Sequence, residues 1–281
     1  ITSWKHSSNF FIVSEYYENG TLNDFIQTNV IDKKTRLEDW RVWKIIVEIA
    51  QGLRFLHEVC KIVHLDIKPC NIFVTFEGCL KIGDFGMSTK LPLESKAFEN
   101  EGDREYIAPE IISEGIYDFR ADIFSLGLMI VEIACNVCLP DNGTAWHKLR
   151  SGDMSDAGSL SSTDIQSEFS NTTTNTTSAI FSTKLSKITQ LSSASNYLGQ
   201  SKLQELESQT GTKVPAWVPK FLIDGQSLNK IVKWIIEPDY RLRPSADDLL
   251  KSEECEYVQM TKKCGATIHE DNFGPKPDFF M

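Results

Sequence analysis

The chain has 281 residues, of which 41% are hydrophobic and 24% are charged, as in an ordinary soluble protein. It contains no run of about 20 apolar residues and does not open on a basic segment followed by an apolar one, which argues against a membrane span and a signal peptide. The formal net charge of −10 argues against nucleic acid or an anionic membrane as the main partner. Seven cysteines at irregular spacings predict reduced thiols in an intracellular protein.

The first predicted elements are a strand at residues 10–14 and a short helix that begins at Thr21, where Asp24 completes a pattern related to the capping box. A long helix is predicted at residues 37–59, because its apolar residues recur at helical spacing. Its polar positions are expected to form a solvent-facing stripe: Arg41, Lys44, Glu48, Gln51 and Glu58.

Two motifs that carry chemistry follow this helix. The segment His64-Leu65-Asp66-Ile67-Lys68-Pro69-Cys70-Asn71 fits the pattern H-x-D-x-x-x-x-N, and Asp84-Phe85-Gly86 follows a predicted hairpin. Phosphoryl transfer needs an Asp that orients the attacking hydroxyl, and an Asn and a second Asp that hold two magnesium ions at the nucleotide phosphates. With Ala108-Pro109-Glu110 downstream, these motifs resemble the protein-kinase signature.

This resemblance implies an α+β, protein-kinase-like fold, consisting mainly of the α-helical C-lobe with the hinge and the last strand of the N-lobe. It implies that Asp66 is the catalytic base and that Asn71 and Asp84 are the magnesium ligands. His64, Phe85 and Gly86 are structural parts of the same motifs. The alternative is a scaffold that retains the loop for packing, but the three polar ligands are intact.

The nucleotide would contact residues on both sides of the hinge. In a kinase, Ser14 would be the gatekeeper, and the backbone of Glu15 and Tyr17 would face the adenine edge. Phe73 would form the floor under the adenine, since an aromatic face suits a flat base; the alternative is that Phe73 is a plain core residue. No G-x-G-x-x-G and no strand lysine precede the hinge. We therefore expect this chain alone to be inactive or nearly so, because positioning supplies most of the catalysis in phosphoryl transfer.

Three buried charges are expected to hold the lobe together. Asp122 lies in the apolar helix predicted at residues 120–135, where an unpaired charge would be costly. In kinases the equivalent Asp accepts hydrogen bonds from the backbone of the catalytic loop. Glu110 and Arg243 are expected to form a buried ion pair that anchors the activation segment.

One position departs from the general kinase pattern. Leu65 replaces the Arg of H-R-D, which normally pairs with a phosphate on the activation loop. We therefore expect that activity needs no phosphate on the activation loop, whose candidate sites are Ser88, Thr89 and Ser95.

Composition divides the chain further. Residues 151–213 are rich in Ser, Thr and Asn and predict a disordered, phosphorylated insertion, since so few large apolar residues cannot offset the ordering entropy. Val214-Pro215-Ala216-Trp217 marks the return to folded chain, and the last helices are predicted at 227–237 and 244–252. The predicted regions are the end of the N-lobe and the hinge (1–20), the first part of the C-lobe (21–150), the insertion (151–213), the last C-lobe helices (214–252) and a polar tail (253–281).

The catalytic loop alone favours Ser/Thr specificity, because Ile67-Lys68-Pro69 places a Lys where it reaches the γ-phosphate. Other segments resemble the Wee/Myt family of mitosis-inhibitory kinases, in its fungal branch. They are Asp66 to Phe73, Glu101-Gly102-Asp103-Arg104-Glu105-Tyr106-Ile107-Ala108-Pro109-Glu110, Ala134-Cys135-Asn136-Val137-Cys138-Leu139-Pro140, and Asn142 to Gly152 with Trp146, His147, Leu149 and Arg150.

The Wee/Myt resemblance implies a monomeric enzyme of the nucleus and cytoplasm that uses ATP and Mg²⁺. It would phosphorylate a tyrosine of a mitotic cyclin-dependent kinase, with its cyclin, and so delay mitosis. Asp66 and Lys68 would then be the catalytic residues, and Glu101-Gly102-Asp103 would shape the activation segment near the substrate. Two alternatives remain open: an ordinary Ser/Thr kinase, and a module that binds a cyclin-dependent kinase without catalysis.

Overall fold

The chain begins with a two-stranded hairpin. The structure is a computed structural model that describes residues 2–31, 35–93, 102–161, 219–222 and 225–262. Strand β1 (Thr2–His6) pairs antiparallel with β2 (Asn9–Val13), with Thr2 opposite Val13. The strand predicted from the apolar run is therefore present, and its apolar side chains are exposed among the described residues.

A short helix follows the hairpin. Helix α1 (Leu22–Ile26) begins with a full capping box, in which the Thr21 side chain accepts from the backbone of Asp24 and the Asp24 carboxylate accepts from the backbone of Thr21. This confirms the predicted start of the helix. The chain continues as π-helical turns over Gln27–Ile31.

The predicted long helix is α2 (Asp39–Arg54), which continues as π-helical turns over Phe55–Cys60. The predicted solvent-facing stripe is wrong at Arg41, Lys44 and Glu48, which are all buried. Gln51 is half-buried, and Glu58 is exposed as predicted. The Glu48 carboxylate accepts the backbone N–H of Leu80 at 2.7 Å and lies 3.8 Å from the Lys44 ammonium. Other elements cover this helix on its polar side too, so the polar positions lie inside the lobe, where buried charges need partners.

Short hairpins carry the two motifs. Strand β3 (Ile62–Val63) leads into the catalytic loop and pairs with β6 (Thr89–Lys90), which follows Asp84-Phe85-Gly86. The loop ends in a 3₁₀ turn at Pro69–Asn71 and passes directly into β4 (Ile72–Val74), which pairs with β5 (Leu80–Ile82). These pairings bring the ends of both motifs to the same side of the lobe.

The hydrophobic centre is built on α4 (Arg120–Cys135), which follows the short helix α3 (Pro109–Glu114) and precedes α5 (Gly143–Arg150). Helix α6 (Gln226–Ile235) packs closely against α4. A Cβ on Gly127 would lie 2.4 Å from a methyl carbon of Ile236, so this helix crossing depends on a glycine. The core is thus a stack of helices, with the catalytic loop at one edge.

The folded lobe extends further than residue 150, which was predicted as its boundary. Leu160 and Ser161 are buried. The Arg36 guanidinium donates to the backbone carbonyls of Ala134, Ser159 and Ser161, and the Ser161 hydroxyl donates to the Asp39 carboxylate. Residues 159–161 are therefore packed near the start of α2 and the end of α4. The predicted disorder at 162–213 and the segment from Val214 to Trp217 lie outside the described residues.

The chain is described again from residue 219. Phe221 packs edge-to-face on Trp43 of α2, with ring centroids 5.2 Å apart, and on Tyr257, at 5.6 Å. Helix α6 and helix α7 (Ala246–Leu250) confirm the two last predicted helices.

A final helix, α8 (Glu253–Lys262), was not predicted, since residues after 252 were read as a polar tail. It packs on α2 and fully buries Cys255. Because only one of its residues is fully buried, the sequence of this helix has no repeating apolar positions that would predict it. Residues 263–281 lie outside the described residues. No helix in the described part of the chain is long and apolar enough to cross a membrane.

Candidate active site

A fully buried carboxylate fixes the backbone of the catalytic loop. Asp122 accepts the backbone N–H of His64 on Oδ2 and that of Leu65 on Oδ1, both at 2.8 Å. His57 Nε2 also lies 2.8 Å from Asp122 Oδ2 and its ring stacks on Phe119. Sequence reasoning missed His57, because one histidine in a mainly apolar helix carries no distinctive signal. Asp122 therefore has three partners, which tie α4 to the catalytic loop and to the turns that follow α2.

The activation segment passes directly over this loop. Leu65 has φ 67° and is buried, and Gly102 has φ 81°. A Cβ on Gly102 would lie 2.3 Å from the Leu65 carbonyl oxygen, so only glycine allows this close approach. Leu65 joins the core, so this position presents no cationic side chain to the activation segment.

Asp66, Lys68 and Asn71 form a connected polar group. Asn71 Nδ2 donates to the Asp66 backbone carbonyl at 2.8 Å and to Asp66 Oδ2 at 2.7 Å. Lys68 Nζ lies 3.1 Å from Asp66 Oδ1 and 3.0 Å from Asp103 Oδ2. Burial lowers the pKa of Lys68, but hydrogen bonds to Asp103 and Asp66 raise it more, so this pKa lies above its usual value. Lys68 therefore keeps its positive charge beside Asp66.

The second motif lies beside the first through His64. Its Nε2 is 3.0 Å from the carbonyl oxygen of Gly83, and its ring meets Phe85 edge-to-face at 5.1 Å. Asp84 has φ 57° and is exposed, and its Oδ1 accepts the N–H of Gly86 at 3.2 Å. The side chain of Asp84 is thus exposed, while His64 contacts both of its chain neighbours, Gly83 and Phe85.

Two side chains of the site offer oxygen atoms that suit a nucleotide-bound divalent cation. Asn71 uses its Nδ2 for Asp66, which leaves its amide oxygen for a hard cation, and Asp84 offers an exposed carboxylate. No group of three or more His, Cys, Asp or Glu side chains suited to a metal ion occurs among the described residues. Two protein ligands suit a cation whose other ligands are phosphate oxygens and water, as Mg²⁺ prefers.

The predicted adenine-facing residues lie near one another. The Tyr17 and Phe73 rings stack with centroids 5.3 Å apart, and a Cβ on Gly83 would lie 2.5 Å from the Phe73 ring. Ser14 and Glu15 are exposed, and the Tyr17 hydroxyl donates to Glu15 at 2.9 Å. The Tyr17 carbonyl accepts the N–H of Gly20 at 3.1 Å, so this carbonyl is engaged in the turn after the hinge.

The ion pair expected between Glu110 and Arg243 is present and bidentate. Arg243 Nη1 lies 2.7 Å from Glu110 Oε1, and Nη2 lies 3.0 Å from Oε2, with both side chains almost fully buried. The guanidinium also donates to the carbonyls of Glu237 and Arg120, at 2.9 and 2.7 Å, and lies over the Phe124 ring. This pair links the end of the activation segment to the chain before α7.

Helix α5 holds the segment between Gly102 and Glu110. Trp146 Nε1 and Arg150 Nη2 both donate to the Arg104 carbonyl, at 2.8 and 2.6 Å. The Tyr106 hydroxyl donates to Glu132 at 2.6 Å. Sequence reasoning gave these contacts no role. Glu101 and Ser95 lie outside the described residues.

Fold and site together define the large lobe of a protein kinase, with its catalytic loop, Asp-Phe-Gly motif and anchored activation segment. The protein kinase domain family matches residues 1–253. The chain therefore belongs to the protein kinase family, whose domain implies the use of ATP and a divalent metal.

Three relatives locate the chain within that family. It is 56% identical over 309 residues to the mitosis inhibitor protein kinase SWE1 of Saccharomyces cerevisiae, covering 100% of this chain and 37% of the relative. It is 40% identical over 272 residues to the mitosis inhibitor protein kinase wee1 of Schizosaccharomyces pombe, covering 97% of this chain and 26% of the relative. It is 36% identical over 154 residues to the membrane-associated tyrosine- and threonine-specific cdc2-inhibitory kinase wee-1.3 of Caenorhabditis briggsae, covering 54% of this chain and 22% of the relative.

The resemblance drawn from the motifs is thereby confirmed: the chain is strongly homologous to fungal mitosis-inhibitor kinases of the Swe1/Wee1 type. It spans 37% of the length of the first of these fungal relatives and 26% of the length of the second.

Proposed function

We propose that the full-length protein containing this chain is a Wee-type kinase. It transfers the γ-phosphate of ATP, with Mg²⁺, to a tyrosine of a mitotic cyclin-dependent kinase bound to its cyclin, and thereby delays mitosis. It acts as a monomer in the nucleus and cytoplasm. The observation that carries the proposal is the intact Asp66–Lys68–Asn71 group in a chain so similar to mitosis-inhibitor kinases.

Each residue of the site has a defined task in this proposal. Asp66 accepts a hydrogen bond from the acceptor hydroxyl and orients it, while Asn71 keeps the Asp66 carboxylate in place through Oδ2. Lys68 supplies positive charge where negative charge builds up on the transferred group. Asn71 and Asp84 hold the divalent cation, which neutralises the phosphate charge when nucleotide is bound.

Acceptor identity is supported by the relatives rather than by the loop. Lys68 lies where Ser/Thr kinases place a lysine, yet the relative from Caenorhabditis briggsae carries both tyrosine and threonine specificity in its name. The cyclin-dependent kinase as substrate rests on the same name, which describes a cdc2-inhibitory kinase. A tyrosine acceptor is therefore supported by the name of a relative and not by the identity of residue 68.

The test uses the full-length protein with ATP, Mg²⁺ and a catalytically dead cyclin-dependent kinase in complex with its cyclin. Mass spectrometry then locates the phosphate. We expect it on a tyrosine of the glycine-rich loop, and we expect Asp66→Asn to abolish it. Asp141→Asn, which removes an exposed carboxylate of the same type, is the matched control and should remain active.

Two outcomes would point elsewhere. Phosphate on serine or threonine alone would favour an ordinary Ser/Thr kinase. An Asp66→Asn protein that still delays mitosis in cells would favour a module that binds without catalysis.

A further inference from the structure

The Lys68 ammonium lies between two carboxylates that come from different segments. Its Nζ is 3.1 Å from Asp66 Oδ1 in the catalytic loop and 3.0 Å from Asp103 Oδ2 in the activation segment. An ammonium has three N–H donors in a fixed tetrahedral arrangement. When two are committed to two carboxylates, the direction of the third is determined.

Asp103 is itself held rigidly. Its Oδ1 accepts the N–H of Glu105 at 3.1 Å, and its carbonyl accepts the N–H groups of Tyr106 and Ile107 at 3.0 and 2.9 Å. The preceding Gly102 lies against the Leu65 carbonyl, with no room for a side chain. The carboxylate is therefore fixed relative to the catalytic loop as well as to its own segment.

Asp66 cannot hold the lysine in place alone. Its Oδ2 is occupied by Asn71, which leaves Oδ1 for Lys68. A single contact lets an ammonium on a long flexible stem rotate about that contact, whereas a second contact removes this freedom.

We propose that Asp103 is a positioning residue for Lys68. With Asp66, it takes two of the three ammonium donors and so directs the third at the phosphoryl group being transferred. The target of the third donor rests on the proposed function, while the tie between Asp103 and Lys68 is independent of it. Asp103 also makes the site depend on the activation segment, because the carboxylate is in place only when Gly102 lies on the loop.

The first test needs no catalysis. The Lys68 amine is acylated with an N-hydroxysuccinimide ester, and the rate is read from the Lys68 peptide by mass spectrometry. Because Asp103 stabilises the charged ammonium, Asp103→Asn should speed the labelling of Lys68 about two- to fivefold, the change equivalent to one partly exposed ion pair. Asp141→Asn removes one exposed negative charge and should leave the rate unchanged. Equal rates in both variants would overturn the proposal.

The second test is a double-mutant cycle in the full-length kinase. Asp103→Ala should lower kcat about 10- to 100-fold, as expected for the loss of a hydrogen bond between charged groups, with little change in KM for the protein substrate. In a Lys68→Ala background, the same change should have less than about a twofold effect, because the two residues act as a unit. Additive losses, or a loss explained by a lower melting temperature, would contradict the proposal.

The two tests separate the possible failures. If the unaltered protein phosphorylates no protein at all, the proposed function fails and the labelling rates still decide whether Asp103 holds Lys68. If phosphorylation occurs but Asp103→Ala lowers kcat by the same factor with and without Lys68, the positioning role is refuted.

Discussion

Loss of one partner of the Glu110–Arg243 pair should destabilise the lobe strongly. Glu110→Gln keeps the shape of the side chain and removes its charge, so the Arg243 guanidinium stays buried opposite a neutral amide. The Arg243 side chain is 0% exposed, and its two terminal nitrogens lie 2.7 and 3.0 Å from the Glu110 carboxylate oxygens. Breaking a buried pair in this way costs about 3–5 kcal/mol, because an uncompensated charge remains in the interior.

The size of the effect can be measured by thermal and urea unfolding. For a domain of this size, each kcal/mol shifts the melting temperature by about 2–4 °C, so Glu110→Gln should lower it by about 6–20 °C. Glu114→Gln, on the same helix and exposed, makes the same chemical change and should shift it by less than about 2 °C.

A double variant that removes both charges provides a second check. Replacing both partners with apolar residues, as in Glu110→Leu with Arg243→Met, should be less destabilising than Glu110→Gln alone, since no charge is left buried. A free energy of unfolding of Glu110→Gln within about 1 kcal/mol of that of the unaltered protein would refute the argument from burial.

Three further outcomes are expected. Gly102→Ala should lower kcat about 100-fold, since its Cβ would lie 2.3 Å from the Leu65 carbonyl oxygen and displace the activation segment by a fraction of an ångström or more. Burial raises the pKa of Glu132 above its usual 4.5. The folded protein therefore loses stability as the pH rises from about 4.5 through the raised pKa of the folded state. Over that pH range, the melting temperature of Glu132→Gln should rise relative to that of the unaltered protein. Phosphatase treatment that removes any phosphate from Ser88 and Thr89 should leave the activity of the full-length kinase unchanged, as measured by substrate phosphorylation, because Leu65 presents no cation there.

Matched variants make these outcomes decisive. Gly115→Ala also forces a positive φ, here of 64°, but its Cβ would meet nothing within 4 Å, so it should affect stability and spare kcat. Equal losses of kcat at both glycines would contradict the steric argument. A melting temperature for Glu132→Gln that tracks the unaltered protein at every pH would show that the carboxyl is not perturbed, and inactivation by phosphatase would show that Leu65 does not free the kinase from phosphorylation.

The predictable part of the site is the part encoded by local spacing. Asp66 and Asn71 are five residues apart on one loop, and their hydrogen bond follows from that spacing. The need of Asp122 for partners could be expected because a charge in an apolar helix must find one. The Glu110–Arg243 pair was expected from the resemblance to protein kinases. Asp103 and Lys68, in contrast, are 35 residues apart, and no local rule brings them together. Their contact depends on how closely Gly102 approaches the loop.

The fold was mispredicted where several elements cover one helix. The polar residues of α2 have the spacing of a solvent-facing stripe, but Glu48 pairs with the backbone of β5 and is buried. Periodicity reports which side of a helix is polar and does not report whether water reaches it. Helix α8 was missed for a related reason, since one buried cysteine makes no stripe.

The two attachments on α2 bear on how this lobe tolerates change in evolution. Ser161 contacts Asp39, and Phe221 contacts Trp43, one helical turn further along the same helix. The described chain therefore stops after residue 161 and resumes at residue 219 with contacts to neighbouring positions of α2. The entropy needed to close a connection between two neighbouring points grows only with the logarithm of its length. The distance between these two contacts on α2 therefore sets no strict limit on the number of residues that join them.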